Sequence, residues 1–491
     1  MKRQKHSLSH HRLLTCDMGK LVPIGCLEVL PGDTFQHSTS MLARVSPLVT
    51  PVMHPVNVRI HHFFVPTRII WDGFQEFITG GPDGNNADTI PQMVINDTHA
   101  NGVTDYLGYP IPGPGKSYSA SSLPTKAYDA IYNEYYRDQD LCPERDGSSG
   151  TLATIAWEKD YLTSARPFAQ KGSNITVPIS GGDATVKGRN GMPIQFENLS
   201  NTNVPEGSAQ IQRAATTGDL IANPATASLG HLGGNVDDTN LWADLTDVAN
   251  IDLATMREAF AEQRYMEARA RYGSRYTEYL AYLGVKSSDA RLQRPEYLGG
   301  GKQTISFSEV LKTGSGEEPT DPIGNMSGHG IAALRSNKYR KFFEEHGYVI
   351  TMLSIRPKAM YIDGLPRQFS RLSKEDFYQK ELELVGQQEI LNKEVYIQGD
   401  ATDENTFGYA DRYREYREHP SQISAEMRGI LDSWHMARKF DAQPVLNQSF
   451  VECDPTKRIH AEQTNHAMWI TCNHSIQARR MVKRNPVARI I

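Results

Sequence analysis

Apolar and polar positions change their period several times along this chain, and each change marks an element. Val56, Val58, Ile60, His62 and Phe64 alternate with Asn57, Arg59, His61, Phe63 and Val65. A period of two, rich in β-branched and aromatic residues, predicts a strand, and the apolar character of both sets toward Val65 predicts burial on both faces. Pro66, which has no N–H for a ladder, ends it. Tyr348–Pro357 and His466–Ile476 carry the same signature, the second with Met468, Ile470 and Cys472 on one face. Ile175–Ile179 and Thr304–Phe307 are shorter candidates. Strands so far apart must pair non-locally if they share a sheet, a property of Greek keys and jelly rolls and not of βαβ units.

Helical periods lie between the strands. Asp72 is placed to cap a short helix ending near Ile78, before Gly80 and Gly81. Tyr128, Ile131, Tyr132 and Tyr135 recur at helical spacing and predict a helix from about Lys126 to Arg137. A longer one is predicted over Leu253–Tyr272, with Asp252 as N-cap, Gly273 just past its end, and Leu253, Met256 and Phe260 on its buried side. Tyr276–Leu283 follows and stops at Gly284. Residues 180–240 are rich in Gly, Asn, Thr, Ser and Ala and hold no lasting period. So long a loop usually carries a surface function; its competing reading is a linker between two domains.

Length and composition narrow the class. A chain of 491 residues corresponds to about three domains at ~150 residues each, although β barrels with long loops escape that rule. Gly and Pro number 39 and 27, too few for a low-complexity or collagen-like chain. No stretch of 18 apolar residues exists to span a bilayer. The basic start, MKRQKHSLSHHRL, has no apolar region behind it and is not read as a secretory signal. Cys16, Cys26, Cys142, Cys453 and Cys472 form no C-x-x-C pair and read as reduced thiols.

The net charge of −5 averages two unlike regions. Lys2, Arg3, Lys5 and Arg12 crowd the first residues; Arg479, Arg480, Lys483, Arg484 and Arg489 crowd the last, with no acid among residues 479–491. Cationic ends on an acidic body suit contact with a polyanion, because each phosphate neutralised releases counterions. The plainer alternative is a pair of solvated, frayed termini. The run from Tyr409 through Arg412, Tyr413, Arg414, Tyr416 and Arg417 mixes Arg and Tyr as a nucleic-acid surface can, or as a Tyr-rich packing edge with solvated arginines does.

Catalytic chemistry finds no foothold. Gly115-Lys116-Ser117 looks like the end of a phosphate-binding loop, but Pro110, Pro112 and Pro114 remove the N–H donors such a cradle needs. His61 and His62 are adjacent in a strand pattern and point to opposite faces. His460 and Glu462 can share a face but have no third ligand. No nucleophile, base and orienter set, metal site or cofactor motif is found.

Whole segments nevertheless resemble one family. VMHPVNVRIHHFFVPTRIIWDGFQEFITGG (Val52–Gly81), YNEYYRDQDL (Tyr132–Leu141), DYLTSARPFAQKG (Asp160–Gly172), SDARLQRPEYLGG (Ser288–Gly300), EEHGYVITM (Glu344–Met352), GQQEILNKEVY (Gly386–Tyr396), LDSWHMARKF (Leu431–Phe440) and LNQSFVECDPTKRIHA (Leu446–Ala461) follow in order through most of the chain. They are similar to the major capsid protein of microviruses, small single-stranded DNA phages, in the gokushovirus-type branch. The resemblance implies a mainly β chain, an eight-stranded antiparallel jelly-roll barrel with long loop and helical insertions, forming a single domain over 1–491. It implies a structural, non-enzymatic protein that self-assembles through pentamers into an icosahedral shell around circular single-stranded DNA. The virion would be assembled in the cytoplasm of a bacterial host. Implied partners are other copies of the chain, the genome, an internal scaffolding protein, a pilot protein, a small basic DNA-binding peptide and a host surface receptor. In that setting the basic ends face the genome, residues 180–240 form an outward insertion at the threefold axes, and the Tyr409–Arg417 run meets another subunit. A non-viral β-rich binding protein or a multidomain hydrolase is the alternative.

Overall fold

Alternation of inward apolar and outward polar residues builds two antiparallel sheets. The computed structural model describes residues 3–175, 253–273, 275–314 and 323–483, together with the backbone of six short strands between 185 and 244. The seven-stranded sheet contains β1 (Gln4–Ser7), β2 (His10–Cys16), β4 (Thr34–Val45), β7 (Ser306–Leu311), β8 (Met326–Arg335), β9 (Tyr339–Phe342) and β11 (Met468–Arg480). The four-stranded sheet contains β3 (Leu21–Val29), β5 (Val56–Pro66), β6 (Glu296–Thr304) and β10 (Gly347–Pro357). In the first, β1 and β2 both pair with β11, β11 with β4, β4 with β8 and β9, and β8 with β7; in the second the order is β6-β5-β10-β3. These pairings are non-local, as the separated strand patterns require. No closed barrel forms among the described residues: the expected barrel is instead two separate sheets packed face to face.

One apolar layer joins them. Val22, Ile24, Val58, Ile60 and Leu353 from the smaller sheet pack with Met41, Ala43, Leu334, Met468 and Ile470 from the larger. The smaller sheet is buried on its other face too, since Phe63, Val65, Ile350 and Met352 meet helix Leu123–Tyr135 through Ala127, Tyr128, Ile131 and Tyr132. This accounts for the apolar character of both sets of positions in β5. Tyr128 fixes the helix to the sheet: its hydroxyl donates to Leu21 O at 2.7 Å and accepts from Ala153 N at 3.0 Å. Among the described residues the larger sheet has no such cover, and its outer positions on β2, β8 and β11 are mostly exposed. Pro23 is tolerated because β3 is an edge strand with a register shift beside it. Gly19 (φ +80°) is confined to glycine, since a Cβ there would lie 1.9 Å from Cys453 O.

Several local expectations shift. Gly73, not Asp72, is the N-cap of helix Phe74–Thr79. The helix expected near Lys126 starts earlier, at Leu123, because Pro124 fits its first turn. Thr304–Phe307 is not one strand: buried Ile305 separates β6 from β7. Helix Leu253–Tyr272 ends at Gly273 (φ 105°) as expected, yet Leu253 and Phe260 are each 61% exposed and its buried residue is Ala270. Arg257, Glu258, Glu262 and Arg264 interrupt any continuous apolar stripe. Asp252 and residues 176–179 lie outside the described residues.

By connectivity the chain forms two compact units, one of Met1–Lys171 with Glu267–Ile491 and one of Gly172–Met266. In the second, residues 180–240 are not a plain loop. Thr185–Gly188 pairs with Leu241–Asp244, Phe196–Asn198 with Ala227–Leu229, and Gln210–Arg213 with Leu220–Asn223. The pairs are nested about one reversal of the chain. Strands of three or four residues are too short for a period of two to register.

Candidate nucleic-acid interface

The uncovered face of the seven-stranded sheet has one sign of charge. Register places its outward residues in rows across the strands. One row is Thr15–Trp469–Arg44–Ile331, the next Leu13–Thr471–Leu42–Ala333, and the next His11–Asn473–Ser40–Arg335. Farther along come Ser7–Gln477–Gln36–Arg340 and Lys5–Arg479–Thr34–Phe342. The face thus carries Lys5, Arg44, Arg335, Arg340 and Arg479, and none of these positions is Asp or Glu. Between the cations lie hydroxyl and amide side chains, with exposed Leu13 and Trp469 toward one end. A concentration of cations on one face is the electrostatic footprint of a polyanion partner.

The sequence-selected basic residues divide into three groups. Lys5, Arg479 and Lys483 are exposed. Arg3 is also exposed, where it donates to Gly32 O and Thr34 Oγ1 at 2.9 Å each and lies 5.3 Å from the Phe342 ring. Arg12 and Arg480 turn inward. Arg12 reaches Asp105 O at 3.3 Å, and burial lowers its pKa. Arg480 pairs with buried Asp33 at 2.9 Å and donates to Glu28 O at 2.5 Å. Lys2, Arg484 and Arg489 lie outside the described residues. Arg44 and Arg335 escape a search for charge clusters because each stands alone within its strand, and Arg340 because its neighbour Lys341 points the other way and pairs with Glu296; the signal that finds them is sheet register.

The Tyr- and Arg-rich run lies at the end of a hairpin formed by Gln387–Leu391 and Thr406–Asp411. Tyr413 is buried at φ 61°, whereas Tyr416 and Arg417 are exposed and Tyr409, Arg412 and Arg414 are half-buried. Tyr413 and Tyr416 pack against Tyr378, and Arg371 sits 4.2 Å from the Tyr416 ring. Arg412 donates to Val385 O at 3.1 Å and Arg414 pairs with Glu418 at 2.7 Å. Beside this framework Phe369, Leu372, Phe377, Leu384 and Val385 are exposed, Leu372 to 94%. Exposed apolar side chains of this kind are what a protein contact can bury.

Between the sheets lies a buried imidazole cluster. His37 on β4 is 4.6 Å from His62 on β5 and 5.5 Å from His474 on β11, centroid to centroid, and His10 stacks on His474 at 4.8 Å. His474 Nε2 donates to Ile24 O at 3.0 Å, and Thr39 Oγ1 lies 2.9 Å from its Nδ1. His62 bonds Thr351 and Ser336 through its two nitrogens at 2.9 and 3.0 Å, and His37 meets the Tyr339 hydroxyl at 3.1 Å. Burial and then neighbouring imidazoles push His37 down to about 2 and His62 to about 3. Burial lowers His474 to about 4. His37, His62 and His474 are therefore neutral at pH 7. Among the described residues no group of three or more His, Cys, Asp or Glu could hold a metal ion. His460 bonds Ser46 at 2.7 Å while exposed Glu462 closes its own turn on Thr464. All five cysteines are free thiols.

The chain matches, over residues 1–486, the family described as capsid protein (F protein). Capsid protein VP1 of Chlamydia phage 1 is 32% identical over 92% of this chain and 89% of its own length. Capsid protein VP1 of Bdellovibrio phage phiMH2K is 34% identical over 92% and 88%, and that of Spiroplasma virus 4 is 30% identical over the same shares. With the match running nearly end to end, this chain belongs to the phage capsid protein (F protein) family, and its role is structural, in the virion, rather than enzymatic.

Proposed function

We propose that the chain is a major capsid protein that self-assembles into an icosahedral shell and lays the open face of its seven-stranded sheet against a single-stranded DNA genome. The observation that carries this reading is the asymmetry of the two sheets: one is covered by helix and loops, the other is bare, cationic and free of acids on its outward positions. Phosphates are neutralised there without base-specific hydrogen bonds, as a shell enclosing a whole genome requires. The strand order supports a jelly roll. Counting β1 with β2, and β8 with β9, as single strands and setting β7 aside, the larger sheet runs first, eighth, third, sixth and the smaller second, seventh, fourth, fifth. That order winds an eight-stranded double-sheet fold.

The insertions then take outward and lateral roles within the single capsid domain. Residues 180–240, with their nested strand pairs, suit an outward insertion at the threefold axes, open to a host surface receptor. Limited proteolysis of intact particles is expected to cut first within 180–240, and full protection of that segment would refute the placement. Contacts among copies, through pentamers, use the exposed apolar segment beside Tyr416 and Arg417. An internal scaffolding protein, a pilot protein and a small basic peptide complete the particle during assembly in the bacterial cytoplasm.

Negative-stain microscopy of the purified protein, with nuclease protection of its enclosed DNA, tests the function. Regular particles are expected from the parent chain. Leu372→Asp with Leu384→Asp removes two exposed anchors, each worth ~1.5–3 kcal/mol when buried, and is expected to leave folded subunits that no longer close into particles. A parent chain that stays monomeric at high concentration, or a double variant that assembles normally, argues against the respective claim.

A further inference from the structure

We infer that Trp469 and Arg44, adjacent on the open face of the seven-stranded sheet, form a stacking site for an unpaired base of single-stranded DNA and its phosphate. The inference rests on that face being turned toward the genome and adds a contact to the base itself. Trp469 and Arg44 are directly opposite across β11 and β4, with Thr15 on the other side of Trp469. Residues so paired have Cβ atoms about 5 Å apart. The indole is 48% exposed and the Leu13 side chain beside it 80% exposed. With Leu42 they line an open depression of about 510 Å³.

An apolar platform of this kind calls for an occupant, and the charge around it selects one. Among the described residues its one charged wall residue is Arg44, and the rows beyond continue through Ser40, Asn473 and Arg335 to Arg340, Lys5 and Arg479 without a carboxylate. A π-face beside a guanidinium, at one end of a polar and cationic track, matches single-stranded DNA: stacking tolerates any base, and the cation takes the phosphate. Phe342, the other exposed large aromatic on this face among the described residues, is equally exposed but already has a cation, the Arg3 guanidinium, 5.3 Å from its ring centre. Trp469 is thus the open platform. The ten steps along β4 from Thr34 to Arg44 set the two aromatics ~33 Å apart along the track.

The test compares an oligothymidylate with an abasic oligomer of equal phosphate number, bound to the purified full-length chain. Trp469→Ala is expected to weaken oligothymidylate binding about tenfold or more while leaving abasic binding and the salt slope unchanged. Trp469→Phe should restore much of the loss. Arg44→Gln should weaken both oligomers and reduce the salt slope by about 0.7. Oligothymidylate should quench a tryptophan signal that the Trp469→Phe chain lacks, and the abasic oligomer should not. Equal affinities for oligothymidylate in the parent and the Ala variant, or equal quenching by both oligomers, would overturn the stacking site and leave a purely electrostatic face. Absence of salt-dependent binding to either oligomer would overturn the genome-facing reading as well.

Discussion

Between pH 6.5 and pH 5 the folded chain is expected to lose about 1.4 kcal/mol of stability per pH unit for each buried imidazole of the His37, His62 and His474 cluster. The unfolded chain takes up protons at its histidines near 6.5, whereas the folded values lie near 2, 3 and 4. Stabilisation from keeping these rings neutral is therefore complete above pH 6.5 and shrinks as the pH falls toward the folded values. At pH 4 the loss reaches roughly 3 kcal/mol per imidazole, a large share of the ~5–15 kcal/mol that usually holds a domain together. Among the described residues no carboxylate offsets it: the groups facing His37 are His62, His474, His10, Thr39 and the Tyr339 hydroxyl, and those facing His474 are His37, Thr39, His10 and, farther off, Arg12. Ordinary carboxylates have their midpoints near ~4, below this window, so its slope comes mainly from histidines. Denaturant titrations at half-unit pH steps measure the slope. His62→Gln should flatten it by one proton's worth, and a parent chain equally stable at pH 6.5 and pH 5 would contradict the account.

Replacing Arg44, Arg335, Arg340 and Arg479 together by Gln is expected to weaken binding of single-stranded DNA by about two to three orders of magnitude near 0.1 M salt. Each phosphate contact to a single strand adds about 0.7 to the salt slope, so four lost contacts lower it by nearly 3. The side chains lie on exposed strand positions, so the change leaves the core intact. Binding isotherms across salt concentrations give the slope, and particles from cells expressing the variant should hold far less nuclease-protected DNA. An unchanged slope would move the genome contact to another surface.

How much of this was legible depends on what each strand buries. β5 and β10 declare themselves because both of their faces are covered, one by the opposite sheet and one by helix and loops, so they read as apolar runs. β4 stayed hidden although it is the longest partner of β11. Its inward set includes His37 and Thr39 and its outward set includes Leu42, which blurs the alternation. The polar cluster inside the fold is thus the reason the sequence pattern fails there. β8 is masked differently, since Gly328, Gly330 and Ala332 fill its inward positions with residues of little hydrophobic signal. On the cationic face, the charge runs at the two ends of the chain reach the seven-stranded sheet, because β1 and β11 belong to it. They could not separate Arg479, which faces out, from Arg480, which turns in to Asp33, as only strand parity decides between neighbours.

The nested pairs of Gly172–Met266 make that segment adjustable in length. Matched residues added to both arms between Arg213 and Leu220 extend it by ~3.3 Å per pair, while Thr185–Gly188 and Leu241–Asp244 keep their register. Shortening works the same way. The tip of the segment can therefore change in reach and surface chemistry between related chains while the pairing at its base stays as it is.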